Sequence, residues 1–389
     1  MATPNHTYLM RVYLDNAATT AMLPEVIEAM TNAMQTLHGN PSSIHGDGRK
    51  VRAAIEDARK RVAKCFGASI GEIFFTSGGT ESNNMAIKNS VRDLGVSRII
   101  TSTIEHHCVL HTAENVAHFQ NVEIAFVNID EKGRIDMAHL ETLLRDDSKK
   151  TLVSLMHANN EIGTLTDIHA VGELCHYYGA YFHTDTVQTI GHFPINVNET
   201  KIHFFSGGAH KFHGPKGCGF IYINGDAKLK PFIDGGAQER NMRGGTENVY
   251  GIVGMAKALE IAAENMEANK NHIESVRNYM KNRLLEEFED VQFNGDYDGN
   301  YLYTVLSVSF PPSPKSDLLL FNFDIAGISC SGGSACSSGA EGGSHVIAGI
   351  NGAEERKTIR FSFSEHNTIE EIDYVIEKMR TIVKVAAMV

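Results

Sequence analysis

The chain has no CxxC pair, no block of like charge, no internal repeat and no apolar run long enough to cross a bilayer. Each absence removes a class of protein. The cysteines at 65, 108, 175, 218, 330 and 336 are scattered, a spacing that fits neither a disulfide framework nor a zinc site. Most of them are expected to pack as small apolar residues, with Cys336 the exception. No stretch approaches the roughly 18 consecutive apolar residues of a membrane helix. The first residues, Met1-Ala2-Thr3-Pro4-Asn5-His6, lack the basic and apolar regions of a signal peptide, so a cytoplasmic location is expected. The net charge of −12, spread over both signs, argues against a nucleic-acid backbone as the main partner.

The 389 residues, 42% apolar and 21% charged, have the composition of an ordinary globular protein and are too many for one small core. Short apolar runs alternate with helical patterns, which predicts an α/β fold with a mainly parallel sheet covered by helices on both faces. Strands are predicted at 72–76, 98–101, 123–127, 151–156, 181–184, 203–206 and 219–223, making the sheet seven-stranded. Helices are predicted at 24–37, 48–66 and 167–178, and one long or broken helix at 251–288. Beyond it come β runs at 302–310 and 358–363 and a last helix at 368–385, with Thr368 as its N-cap. The expected organisation is an N-terminal segment at 1–20, a large α/β domain at 21–260, and a small α+β domain at 261–389.

The chemistry centres on Ser206-Gly207-Gly208-Ala209-His210-Lys211-Phe212-His213-Gly214. A lysine among glycines and small residues at a strand end, with Asp185 at an earlier strand end, suggests pyridoxal 5'-phosphate (PLP). Lys211 would form the Schiff base and Asp185 would face the pyridinium nitrogen. Gln188 could bond the phenolic oxygen, and His106 could stack on the ring as an acid/base group. Thr76-Ser77-Gly78-Gly79-Thr80 reads as a strand, a glycine turn and a helix N-terminus, which offers N–H groups to a phosphate. Taken alone it reads better still as a tight turn with Thr80 as N-cap. Asn160 follows the strand at 151–156, and Arg360 places a guanidinium suited to a carboxylate on an apolar strand. Cys336 lies in Ser331-Gly332-Gly333-Ser334-Ala335-Cys336-Ser337-Ser338-Gly339, where an exposed thiol could reach a substrate.

Together these stretches resemble the NifS/IscS-like cysteine desulfurases of group I, within the class V, fold-type I PLP enzymes. The resemblance runs nearly end to end, from Tyr13-Leu14-Asp15-Asn16-Ala17-Ala18-Thr19-Thr20 to Ile359-Arg360-Phe361-Ser362. It implies that Lys211, Asp185, Gln188 and His106 hold the cofactor ring. Gly79, Thr80, Gly208 and His210 would line its phosphate, joined by Thr246 from the other subunit of a homodimer. Asn160 would contact cofactor and substrate, with Asn16 and Arg360 also binding substrate. Cys336 would accept sulfur from L-cysteine as a persulfide, leaving L-alanine. The implied partners are iron–sulfur scaffold or other sulfur-acceptor proteins, with tRNA thiolation a further destination; neither a metal nor a membrane is expected.

Two departures stand out. Gly208 occupies a position where the family usually has a hydroxyl residue, and Gly342-Gly343 replaces a stretch that commonly contains proline. Two other readings stay open on the same residues. A selenocysteine lyase, aminotransferase or epimerase would need Lys211 and Asp185 but not Cys336. A sulfur-relay scaffold without turnover would need neither a bound cofactor nor the lysine.

Overall fold

The computed structural model describes residues 10–313, 316–332, 343–352 and 355–387. By its internal contacts the chain divides into two compact units. The larger contains Thr19–Asn159 and Thr164–Met266; the smaller contains 10–18, Asn160–Gly163 and the described residues from Glu267 onward.

In the larger unit all seven expected strands form one sheet. They are Ile73–Thr76, Arg98–Thr101, Glu123–Phe126, Thr151–Ser154, Tyr181–Asp185, Phe204–Gly208 and Gly219–Ile223. Taken across the sheet, Ile73–Thr76 lies at one edge and Glu123–Phe126 at the other, with Gly219–Ile223, Phe204–Gly208, Tyr181–Asp185, Thr151–Ser154 and Arg98–Thr101 between. Gly219–Ile223 alone runs antiparallel to its neighbours; the other six share one direction.

Strand periodicity explains why both faces must be covered. Ile73 and Phe75 point to one face, where they join a core with Val51, Ile55, Val171 and Leu259. Phe74, between them, points to the other and packs with Met85, Ile87 and Val109. The first face is covered by helices Gly46–Cys65, Ile168–Tyr177 and the first part of Val249–Glu287, the second by Gly79–Leu94 and His107–Gln120. A parallel sheet buried on both sides needs such continuous apolar runs, and Ile73-Phe74-Phe75 is one.

In the smaller unit, Val305–Phe310 pairs antiparallel with Lys357–Ser362 and with Gln292–Phe293. Val12–Tyr13 pairs in parallel with Ile328–Ser329, so residues 10–18 belong to this unit, while Thr19 and Thr20 belong to the larger. The last helix, Ile369–Ala387, opens at the expected cap: Thr368 Oγ1 accepts from the Glu371 N–H, while the Glu371 carboxylate accepts from the Thr368 N–H. No helix among the described residues is long and apolar enough to cross a membrane.

Candidate active site

The chemistry-bearing residues of the larger unit gather at the C-terminal ends of the parallel strands, where an open α/β sheet leaves its ligand crevice. Asp185 ends Tyr181–Asp185, and Phe204–Gly208 runs into a single 3-10 turn, Ala209–Lys211, that presents Lys211. His106 stands just before His107–Gln120 as its N-cap. Gly78 caps Gly79–Leu94 at φ 152°, a conformation that favours glycine, so Thr80 sits inside the first turn instead of at the cap. A Cβ on Gly79 would lie 2.4 Å from Val187 Cγ2, which leaves no room for a side chain.

Gly208 is a different case. Its backbone is extended, at φ −130° and ψ 115°. A Cβ built there would be 3.6 Å from the Gly79 nitrogen, 3.6 Å from Val187 Cγ1 and 3.7 Å from His210 Cδ2, all ordinary contacts. The strand end, the glycine turn and His210 therefore converge around one small space.

Asp185 is fixed from three sides. Its Oδ2 accepts from Asn83 Nδ2 at 2.7 Å, and its Oδ1 accepts from the Val187 N–H at 2.9 Å and from Ser206 Oγ at 3.4 Å. Asn83 is oriented in turn by His183, whose Nε2 lies 3.1 Å from Asn83 Oδ1 and whose Nδ1 lies 2.8 Å from Ser154 Oγ. Burial pushes His183 down to about 4, so it is neutral here. Asn83, His183 and Ser154 carry no sequence motif that marks them; only the helix and strand packing brings them to the aspartate.

His106 Nδ1 accepts from the Cys108 N–H at 3.1 Å and lies 3.0 Å from Cys108 Sγ. Cys175 and Cys218 pack in one core and Cys108 packs against the other, as expected, but Cys108 also makes polar contacts beside His106. Glu105, also missed, is buried, and its Oε1 accepts from Ser102 Oγ and from the Met156 N–H. Burial pushes its carboxyl up to about 8.

The lysine turn is held by the N-terminal motif. Thr20 donates its N–H and its hydroxyl to the His210 carbonyl, and its Oγ1 accepts from the His213 N–H at 2.8 Å. His210 Nδ1 lies 3.2 Å from Thr19 Oγ1. Burial, with Lys211 and Lys216 nearby, pushes His210 down to about 4. Gln188 is half-buried in the turn after Asp185. Thr246 is exposed and lines, with Ser77 and Gly217, a cavity of about 150 Å³. Its loop is tied down by Arg243, which donates from Nε and Nη2 to the two Glu81 carboxylate oxygens.

In the smaller unit, Arg360 is brought together with Asn160 and Asp15. Its Nη1 donates to the Asn160 carbonyl at 2.9 Å and its Nη2 to Asp15 Oδ1 at 3.0 Å. Its buried Nε has no hydrogen-bond partner among the described residues. The Asn16 amide donates to the Ser362 carbonyl at 2.9 Å and to Asn367 Oδ1 at 3.3 Å. Cys336 and its neighbours Ser334 to Ser338 lie outside the described residues.

A primary amine, a strand-end carboxylate fixed by three donors, and a glycine-led helix N-terminus with a neutral imidazole form a donor set that fits PLP. Its phosphate suits the N–H groups and its ring nitrogen suits Asp185. The family description "Aminotransferase class-V" matches residues 12–375. The cysteine desulfurase IscS of Dictyoglomus turgidum is 44% identical over 95% of this chain and 96% of its own length. That of Methanosarcina thermophila is 42% identical over 96% of this chain and 92% of its own length. A solved structure titled NifS-like protein superposes with a TM-score of 0.89 at 36% identity, covering 97% of this chain and all of the other. The chain belongs to the class-V aminotransferase family, and the fold-type I expectation is borne out. Its cofactor is PLP, as in the family.

Proposed function

We propose that this chain is a PLP-dependent cysteine desulfurase that converts L-cysteine to L-alanine and carries the released sulfur as a persulfide on Cys336. Similarity over nearly the whole length to relatives named cysteine desulfurase supports the reaction, and the placing of Asp185 and the Lys211 turn at the ends of neighbouring strands supports the cofactor site. Lys211 would hold the cofactor aldehyde, and Asp185 the ring nitrogen. Gln188 would meet the phenolic oxygen and His106 the ring face. The Gly79 N–H, Thr80 and His210 would hold the phosphate beside Gly208, with Thr246 of a second copy completing the cradle in a homodimer.

When bound, PLP supplies an electron sink for the pair left at the substrate Cα. The chain's own groups do the rest. Arg360, Asn160 and Asn16 orient the amino-acid carboxylate, and the Lys211 amine takes the Cα proton. The Cys336 thiolate attacks the substrate sulfur: an S–S bond forms, the Cβ–S bond breaks, and its electron pair stays on carbon. A proton delivered to that carbon, and one returned to Cα, give alanine. A thiol acceptor then takes the terminal sulfur from Cys336, and delivery to an iron–sulfur scaffold protein is the use that accords with the relatives' name.

The test is alanine and sulfide released from L-cysteine in the presence of a thiol reductant, comparing the native chain with Cys336→Ala. Equal yields of the two products, both lost in the variant, are expected. Undiminished alanine in the variant would exclude Cys336 as acceptor. No alanine from the PLP-loaded native chain would exclude the reaction.

A further inference from the structure

Cys108 stands two residues after His106 and, besides packing against the core under the second face of the sheet, makes polar contacts through its thiol. We infer that Cys108 is a positioning residue: its thiol and its backbone N–H together hold His106 as the neutral imidazole with the proton on Nε2, and its sulfur joins that imidazole to Asp185 through Asn83. The inference rests on the reading that His106 faces the cofactor.

Both donors converge on a single lone pair. The Cys108 N–H reaches His106 Nδ1 at 3.1 Å and the thiol sulfur lies 3.0 Å from the same nitrogen. An imidazole nitrogen that accepts from an N–H cannot also carry a proton, so the proton belongs on Nε2. The thiol must then be the donor in the sulfur contact. Burial, and next the Asp185 charge, push Cys108 up to about 12, which keeps the S–H intact at neutral pH.

The sulfur accepts in turn. Asn83 Nδ2 lies 3.2 Å from Cys108 Sγ and 2.7 Å from Asp185 Oδ2. One buried amide therefore touches both the carboxylate assigned to the ring nitrogen and the thiol that fixes the imidazole assigned to the ring face. Asp185 and Glu105 are the charged groups that act on the thiol; the His107 ring, 6.4 Å from that of His106, is the neighbouring titratable group on the helix. Losing the S–H donor makes Nδ1 easier to protonate and leaves the backbone N–H as its remaining donor from this residue.

The experiment is side-chain nitrogen NMR of histidine-labelled protein across pH, with and without PLP. His106 is assigned by the signals lost in His106→Gln. In the native chain His106 is expected as the Nε2–H tautomer; finding Nδ1–H there overturns the inference and requires no variant. Cys108→Ala is expected to raise the His106 protonation midpoint by about 0.5 pH units, the size of one weak hydrogen bond. Cys108→Ser, which keeps a donor, is expected to return it toward the native value. A midpoint unchanged in Cys108→Ala overturns the inference, as does a serine variant that behaves like alanine, because a purely structural cysteine would not distinguish them. PLP addition is expected to shift the His106 signals. If it does not, the cofactor-facing reading of His106 fails, whatever tautomer is seen.

Discussion

Asn83 donates from Nδ2 to Asp185 Oδ2 at 2.7 Å, from inside the same helix whose first turn is assigned here to the phosphate. One helix thus carries both the proposed anion site and the carboxylate's partner. Asn83→Ala leaves Asp185 Oδ2 and His183 Nε2 short of a partner in a buried site. Stability is expected to fall by about 3 kcal/mol, the cost of two buried groups losing a hydrogen bond. Urea unfolding gives the stability and a fluorescence titration the PLP affinity, which is expected to weaken as well.

Gly208→Ser is expected to tighten PLP binding. The added Cβ meets only ordinary contacts and the backbone there is extended, so the side chain fits without strain. A hydroxyl hydrogen bond to the phosphate contributes about 1.5–3 kcal/mol, a gain of roughly tenfold or more in affinity. Equilibrium dialysis of PLP against both proteins measures it. Unchanged affinity would mean that position 208 does not face the phosphate.

The PLP-free chain is expected to be most stable near pH 6.5 and to lose stability on acidification. Burial pushes His157 and His183 down to about 4 from 6.5, and burial with two nearby lysines does the same for His210. Unfolding frees each imidazole to take up a proton below 6.5, so the unfolded state gains as pH falls from 6.5 to about 4. Glu105 acts in the opposite sense. Its carboxyl, pushed up to about 8 by burial, contributes stability that is present below 4.5 and lost as pH rises through 8. The buried imidazoles, His203 lowered by burial among them, outweigh the one carboxylate between 4.5 and 6.5, and Glu105 sets the slope above. Urea midpoints measured across pH test this, and Glu105→Gln should flatten the alkaline limb.

Glu239→Ala is expected to be strongly destabilising. Arg59 and Glu239 form a buried bidentate pair, with Nη1–Oε2 at 2.6 Å and Nη2–Oε1 at 2.9 Å, and Glu239 Oε2 also accepts from the Phe75 N–H. Removing the acid leaves the buried guanidinium with only the partly exposed Glu56 carboxylate, 3.3 Å from its Nε, at a cost of about 3 kcal/mol. The same residue anchors the segment leading to Thr246, so PLP affinity should weaken in parallel. Thermal unfolding and PLP titration of the variant check both.

Much of this molecule was legible in its residues because the determining signals are local. Apolar runs such as Ile73-Phe74-Phe75 and Phe204-Phe205 declare buried strands, and all seven lie where their patterns put them. Lys211 and Asp185 were readable because each stands where an apolar run gives way to small or polar residues. The cap at Thr368 was readable because Thr and Glu at that spacing satisfy each other's N–H groups.

Other features depend on contacts distant in sequence, which no local pattern announces. Asp15 and Thr20 belong to one short motif, yet Asp15 pairs with Arg360 in the smaller unit while Thr20 holds the His210 carbonyl in the larger. The chain boundary inside that motif follows from Val12 pairing with Ile328, more than three hundred residues away. Cys108 read as a small apolar residue because a thiol in a helical pattern carries no sign of what lies beside it. Its place between His106 and Asn83 came only when the helices His107–Gln120 and Gly79–Leu94 packed on the same face of the sheet. The sequence determined the strands, the lysine and its acid, because burial and backbone preference act within a few residues. The tertiary structure decided which buried polar groups hold them in place, because a hydrogen bond between side chains exists only where the fold brings both to one point.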